Sequence, residues 1–153
     1  MTTQASHELE ITRVFDAPRE LVYRAFTDPD QLAQWFGPVG FSVPRDTVQV
    51  DARPGGIQRF VMVSDTDPAM TSPVNGRFTE VIENELLVGV EESGPGGDDS
   101  SAVAMTLRLE FHDEDGGRTR LVLRQGPFPG EVREMAREGW GSSFTKLDKL
   151  LGA

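Results

Sequence analysis

Cysteine is absent from this 153-residue chain, and lysine nearly so, with Lys146 and Lys149 its only examples. Without cysteine there are no disulfides, no thiolate metal ligands and no thiol nucleophile. Histidine occurs twice, at His7 and His112, which leaves little imidazole for catalysis or metal binding. No apolar run approaches the ~18 residues that a membrane span requires. Positive charge is scarce overall: 15 Lys and Arg face 25 Asp and Glu, a net charge of −10. A protein that follows a phosphate backbone gains affinity from Lys and Arg, so this balance predicts no nucleic-acid partner. It also disfavours docking on anionic membrane leaflets. Lys146 and Lys149 suit the negative end of a C-terminal helix better than a basic docking patch. The segment Met1–Glu8 has neither the positive start nor the apolar stretch of a secretory leader. Together with the missing cysteines, this predicts a cytoplasmic protein.

What is present is ordinary for a globular protein, with 37% hydrophobic and 26% charged residues. The length predicts one domain over residues 8–153, preceded by a flexible polar tail over residues 1–7. Leu9, Ile11 and Phe15 alternate with polar residues and predict a first strand. Arg13 falls on the same face, so either a bulge turns it out or it needs an acidic partner. Pro18 ends the strand and opens a helix that buries Leu21, Val22, Ala25 and Phe26. A second helix start follows, with Asp28 as N-cap, Pro29 at the first position and Gln31 completing a capping-box pattern. Leu32, Trp35 and Phe36 share one face of this helix, and Gly37-Pro38 ends it.

Strands come next: Val48 and Val50, then Ile57–Val63 after the turn Pro54-Gly55-Gly56. Asn75-Gly76 signals a turn or strand start before Arg77–Glu83, and Glu83-Asn84-Glu85 separates that strand from Leu86–Glu91. Ser93–Ser101, rich in Gly, Asp and Ser, predicts a flexible loop. Val103, Met105, Leu107, Leu109 and Phe111 give the clearest period-two signal, with Thr106, Arg108 and Glu110 facing water. Thr119, Leu121 and Leu123 continue one face after the turn Asp113–Gly117. A final helix runs to about Leu151, with Val132, Met135, Ala136, Trp140, Phe144 and Leu147 recurring at helical spacing. One helix with so wide an apolar stripe must bury it against a sheet. The expected fold is α+β: a helix-grip arrangement, in which a curved antiparallel sheet of about seven strands wraps a long C-terminal helix.

The motifs Arg13-Val14-Phe15-Asp16-Ala17-Pro18, Thr27-Asp28-Pro29, Trp35-Phe36-Gly37-Pro38, Pro54-Gly55-Gly56, Gly76-Arg77-Phe78-Thr79-Glu80-Val81 and Gly139-Trp140 carry a resemblance. In this order the sequence resembles the family related to the C-terminal domain of the activator of heat-shock protein 90 ATPase. That family belongs to the START-like (SRPBCC) superfamily. The resemblance spans residues 8 to 151. It implies the helix-grip fold and a superfamily of lipid carriers, hormone receptors, aromatase/cyclases and co-chaperone domains. The separate N-terminal domain of the full co-chaperone has no counterpart in this chain.

No catalytic constellation emerges from the residues. No Ser or Thr sits in an elbow motif or beside a histidine partner. The cluster His112-Asp113-Glu114-Asp115 lacks calcium-loop spacing and leads into Gly116-Gly117, so it reads as a solvated hairpin turn. Pro54-Gly55-Gly56 and Gly94-Pro95-Gly96-Gly97 lack the following helix of a phosphate loop. Neither a metal nor a cofactor is expected. Phe15, Trp35, Phe60, Met62, Phe78, Met105, Met135, Trp140 and Phe144 are the expected walls of a cavity between sheet and helix. Methionines among them adapt to irregular spaces and varied ligands. Gly139 and Gly141 weaken the helix by ~1 kcal/mol each relative to Ala, which predicts a bend or a close backbone contact. Arg13 and Glu80 are the candidate polar groups of the cavity, since Glu80 shares strand parity with Phe78 and Ile82.

Three functions follow as expectations. The first is a binding module that takes a small hydrophobic molecule. The second is a chaperone-interacting protein, as the resemblance implies. The third is an aromatase/cyclase-type enzyme, with Glu80 and Arg13 moving protons. The lack of a catalytic set favours binding over catalysis. Trp140 is expected to be the core anchor, and Trp35 to sit at the cavity mouth.

Overall fold

The computed structural model describes residues 8–91, 105–127 and 130–152. The tail over residues 1–7 and the loop Ser93–Ser101, together with Val103, lie outside the described residues. The chain opens with strand β1 (Leu9–Phe15) and helices α1 (Arg19–Thr27) and α2 (Pro29–Trp35). Two-residue strands β2 (Phe41–Ser42) and β3 (Gln49–Val50) follow, with a 3-10 turn at Arg45–Thr47 between them. The long strands β4 (Ile57–Ser64), β5 (Thr71–Ile82), β6 (Leu86–Glu91), β7 (Met105–Glu114) and β8 (Arg118–Gly126) precede helix α3 (Gly130–Leu151). Among the described residues these form one eight-stranded sheet in the order β1-β8-β7-β6-β5-β4-β2, with β3 also paired to β4. All pairings are antiparallel. Its curled form around α3 is the α+β helix grip.

The helix starts explain themselves locally. The Asp28 carboxylate accepts the Asp30 N–H at 2.9 Å and caps α2, with Pro29 just inside. The reciprocal arm from Gln31 does not form, because the Asp28 N–H already donates to the Arg24 carbonyl at the end of α1. Leu21 is exposed rather than buried, and Tyr23 takes the inward position instead, edge-on to Phe111. Asn75-Gly76 is no turn: β5 runs straight through it. Asn84, with φ of 64°, makes the tight turn between β5 and β6.

The core gathers where α1, α2 and α3 meet β1, β7 and β8. Phe15, Phe26, Trp35, Phe111, Phe144 and Leu147 are buried there. Thr119, also buried, donates its hydroxyl to the Ala17 carbonyl and ties β8 to the turn leading into α1. A smaller cluster of Leu32, Val43, Val48 and Phe60 packs α2 against β4. The loop after α2 is pinned to α3: the Val39 N–H donates to the Ser142 hydroxyl at 2.8 Å. The Lys146 ammonium donates to the Phe41 carbonyl at 3.0 Å. Burial there pulls the Lys146 pKa below the ordinary lysine value, with the Asp65 charge opposing the shift.

Candidate functional site: a cavity between the sheet and the C-terminal helix

The core does not fill the whole grip. A cavity of about 420 Å³ remains between β4–β8 and the middle of α3. Strand parity explains its walls, since every second residue of a strand faces the same side. On β4 these are Gln58, Phe60 and Met62; on β7 they are Met105, Leu107 and Leu109. From α3 come Ala136, Gly139, Trp140 and Ser143, while Phe36, Gly37 and Pro38 reach in from the end of α2. A Cβ added at Gly139 would meet nothing within 4 Å beyond its own helix. Gly139 is therefore not a close backbone contact but an open stretch of cavity wall. Gly141 likewise has no neighbour within 4 Å of an added Cβ.

Of the residues expected at the cavity, Phe60, Met62, Phe78, Met105 and Trp140 line it. Phe15, Trp35 and Phe144 do not: they are fully buried in the adjoining core. Phe15 and Phe144 pack edge to face at 5.3 Å, and Trp35 packs against Phe26 at 4.9 Å. The Trp35 indole N–H donates to the Ala25 carbonyl at 2.8 Å, which turns the ring toward α1 and away from the cavity. Met135 is 69% exposed. It sits five residues from Trp140, about 140° around the helix, and so points to solvent.

Neither expected polar group faces the cavity. Arg13 does lie on the concave face of β1, but it pairs with Asp148 of α3. Its guanidinium also lies over the rings of Phe15 and Phe144, at 5.3 and 5.6 Å. Glu80 is turned to the convex face by a β-bulge between Phe78 and Glu80. Its side chain is 61% exposed and approaches Arg108 at 3.9 Å. There it joins a band of charges in which Glu110 meets Arg108 at 2.8 Å and His112 at 3.0 Å. Those hydrogen bonds, Arg108 first and His112 next, hold the Glu110 carboxyl below the usual carboxylate range despite some burial. Among the described residues, no three His, Asp or Glu side chains gather as metal ligands.

The polar groups that do reach the cavity are Gln58, Ser72, Glu91, Gln125 and Ser143. Gln125 accepts the Trp140 indole N–H at 2.8 Å. Burial raises the Glu91 carboxyl above its ordinary value. Sequence reasoning missed this group, although the signal existed: Gln125 continues the face of Thr119, Leu121 and Leu123, and Glu91 continues that of Leu87 and Gly89.

Fold and cavity together define a START-like helix-grip protein, a fold of a kind that accommodates hydrophobic ligands. The chain belongs to the family described as "Activator of Hsp90 ATPase homolog 1-like protein", whose profile matches residues 16–152. A crystal structure of a protein from Chromobacterium violaceum is similar, with 27% identity and a TM-score of 0.82, covering 96% of this chain and 98% of that one. One from Nitrosomonas europaea shares 29% identity with a TM-score of 0.79, covering 97% and 96%. An AHSA1 protein from Silicibacter pomeroyi shares 25% identity with a TM-score of 0.79, covering 95% and 97%. A search of curated proteins found no match. No helix among the described residues is long and apolar enough to cross a membrane.

Proposed function

We propose that this protein binds a small, largely apolar molecule in the cavity between the sheet and α3. The observation that carries this reading is Gly139. A mid-helix glycine weakens its helix by ~1 kcal/mol relative to alanine. Here no packing contact accounts for that cost, since an added Cβ would meet only open space. What Gly139 provides is room. The surrounding volume, about 420 Å³, lies within the ~300–1,000 Å³ typical of small-molecule sites. Apolar burial against Phe60, Phe78 and Trp140 supplies affinity, and a few polar groups set orientation.

The test is a titration of lipids and aromatic metabolites, followed by tryptophan fluorescence and thermal shift, on the natural protein and on Gly139→Leu. The natural protein should respond to at least one class, and Gly139→Leu should fold yet lose the response. Silence of the natural protein across the panel sinks the reading. The aromatase/cyclase alternative loses its two named residues, since Arg13 and Glu80 lie outside the cavity. The chaperone alternative stands on the family description alone, and unchanged chaperone ATPase turnover at saturating protein would remove it.

A further inference from the structure

Glu91 ends β6 within a transverse row. Gln58 registers with Gly76, Gly76 with Glu91, and Glu91 with Met105. Registered neighbours across strands share a face. Gln58, Gly76, Glu91 and Met105 all line the cavity. Gly76 carries no side chain, so the amide of Gln58 and the carboxyl of Glu91 face each other across a bare stretch of β5. Among the described residues that line the cavity, Glu91 alone is ionisable. It has no hydrogen-bond or ion-pair partner among the described residues, and burial is the sole cause of its altered acidity. A half-buried, unpartnered carboxylate beside an apolar volume is relieved by taking up a proton or by meeting a cation, and a cationic occupant is the partner that would use it as a charge.

We propose that the occupant is a small hydrophobic amine, its ammonium meeting Glu91 and Gln58 while its apolar body lies against Phe60, Phe78 and Trp140. This deepens the cavity reading and rests on it. The contact would be a charge-assisted hydrogen bond in a partly desolvated site, stronger than a neutral one. The net charge of −10 draws cations toward the protein and repels carboxylate ligands of the same shape.

A matched set of probes tests this: phenylbutylamine, phenylbutanol and phenylbutyrate, titrated by calorimetry into the natural protein, Glu91→Gln and Glu91→Asp. The amine should bind at least ~10-fold more tightly than the alcohol, as a hydrogen bond to a charged group allows, and the carboxylate should bind most weakly. Glu91→Gln should remove the amine's advantage over the alcohol, while Glu91→Asp should keep it. Equal binding of amine and alcohol to the natural protein overturns the amine proposal and leaves the cavity reading standing. So does an amine advantage that survives in Glu91→Gln. If none of the three probes binds, the amine proposal falls, and the cavity reading loses these ligands as support.

Discussion

The indole N–H of Trp140 donates to the Gln125 side-chain oxygen at 2.8 Å, joining the middle of α3 to the end of β8. The bond fixes one edge of the indole while the ring packs against Phe36 at 5.5 Å and Phe144 at 5.7 Å. Trp140 thus belongs to the core and to the cavity wall at once. Trp35 belongs to the core alone, with no exposed surface. A change in the contents of the cavity therefore reaches one tryptophan directly and the other only through Phe26, Phe36 and Phe144.

Trp140 keeps the core position that its spacing suggests and adds a share of the cavity wall, whereas Trp35 is closed in the core and not at the cavity mouth. Trp35→Ala should cost ~3–5 kcal/mol, because it opens a void in a closed core and frees the Ala25 carbonyl. Trp140→Ala should cost less, since part of its surface already faces open space, yet it should abolish the fluorescence response to ligand. Urea denaturation of both variants, with ligand titration of Trp35→Phe and Trp140→Phe, measures this. A larger loss for Trp140→Ala than for Trp35→Ala would show the division to be wrong.

Gly139→Ala should stabilise the protein by up to ~1 kcal/mol, because it gains helix propensity and meets no clash. Gly56→Ala is the natural contrast. Its Cβ would fall 2.0 Å from the Asp51 carbonyl oxygen. That substitution should prevent folding or lower the melting temperature sharply. Thermal denaturation of the two variants side by side decides the point, and a destabilised Gly139→Ala would mean that the helix needs this glycine for its own path.

Periodicity carried most of the fold. The alternation through Met105, Leu107, Leu109 and Phe111 marks β7, and the helical stripe through Ala136, Trp140, Phe144 and Leu147 marks the inner face of α3. The site was half legible, for reasons that are local. Strand parity found Phe60, Met62 and Phe78, but the bulge at Thr79 breaks parity without any sequence signal and sends Glu80 outward. Met135 misled because a helical stripe has edges, and only packing fixes where they fall. Trp35 could be placed on α2 but not aimed, since its direction depends on a carbonyl ten residues away. Glu91 and Gln125 were legible in principle, because each extends an apolar face by one polar residue.

Arg13 and Asp148 tie the first strand to the last turns of α3. Each side chain is about a third exposed, so solvent screens much of the attraction and the coupling should be modest, about 1 kcal/mol or less. Arg13→Ala should lose somewhat more than that, because the guanidinium also covers Phe15 and Phe144. A double-mutant cycle with Asp148→Ala isolates the pair, and raised salt should shrink the coupling. A coupling of zero at low salt would leave only the aromatic contact as the role of Arg13.

Two carboxylates should give opposite pH signatures. Glu110 has a folded-state pKa below its unfolded value, through Arg108 first and then His112. Its contribution is therefore present above the ordinary carboxylate value and disappears as pH falls through the lowered one. Glu91 has a folded-state pKa raised by burial. It imposes no penalty below the ordinary value and an increasing one as pH rises through the raised value. Glu110→Gln should accordingly be less stable than the natural protein near neutrality and converge with it in acid. Glu91→Gln should be more stable near neutrality and likewise converge in acid. Urea denaturation between about pH 7 and about pH 3, a window that brackets ordinary carboxylate titration, reads both differences. A Glu91→Gln variant less stable than the natural protein at neutral pH would mean that the carboxyl makes a stabilising contact rather than standing unpartnered in the cavity wall.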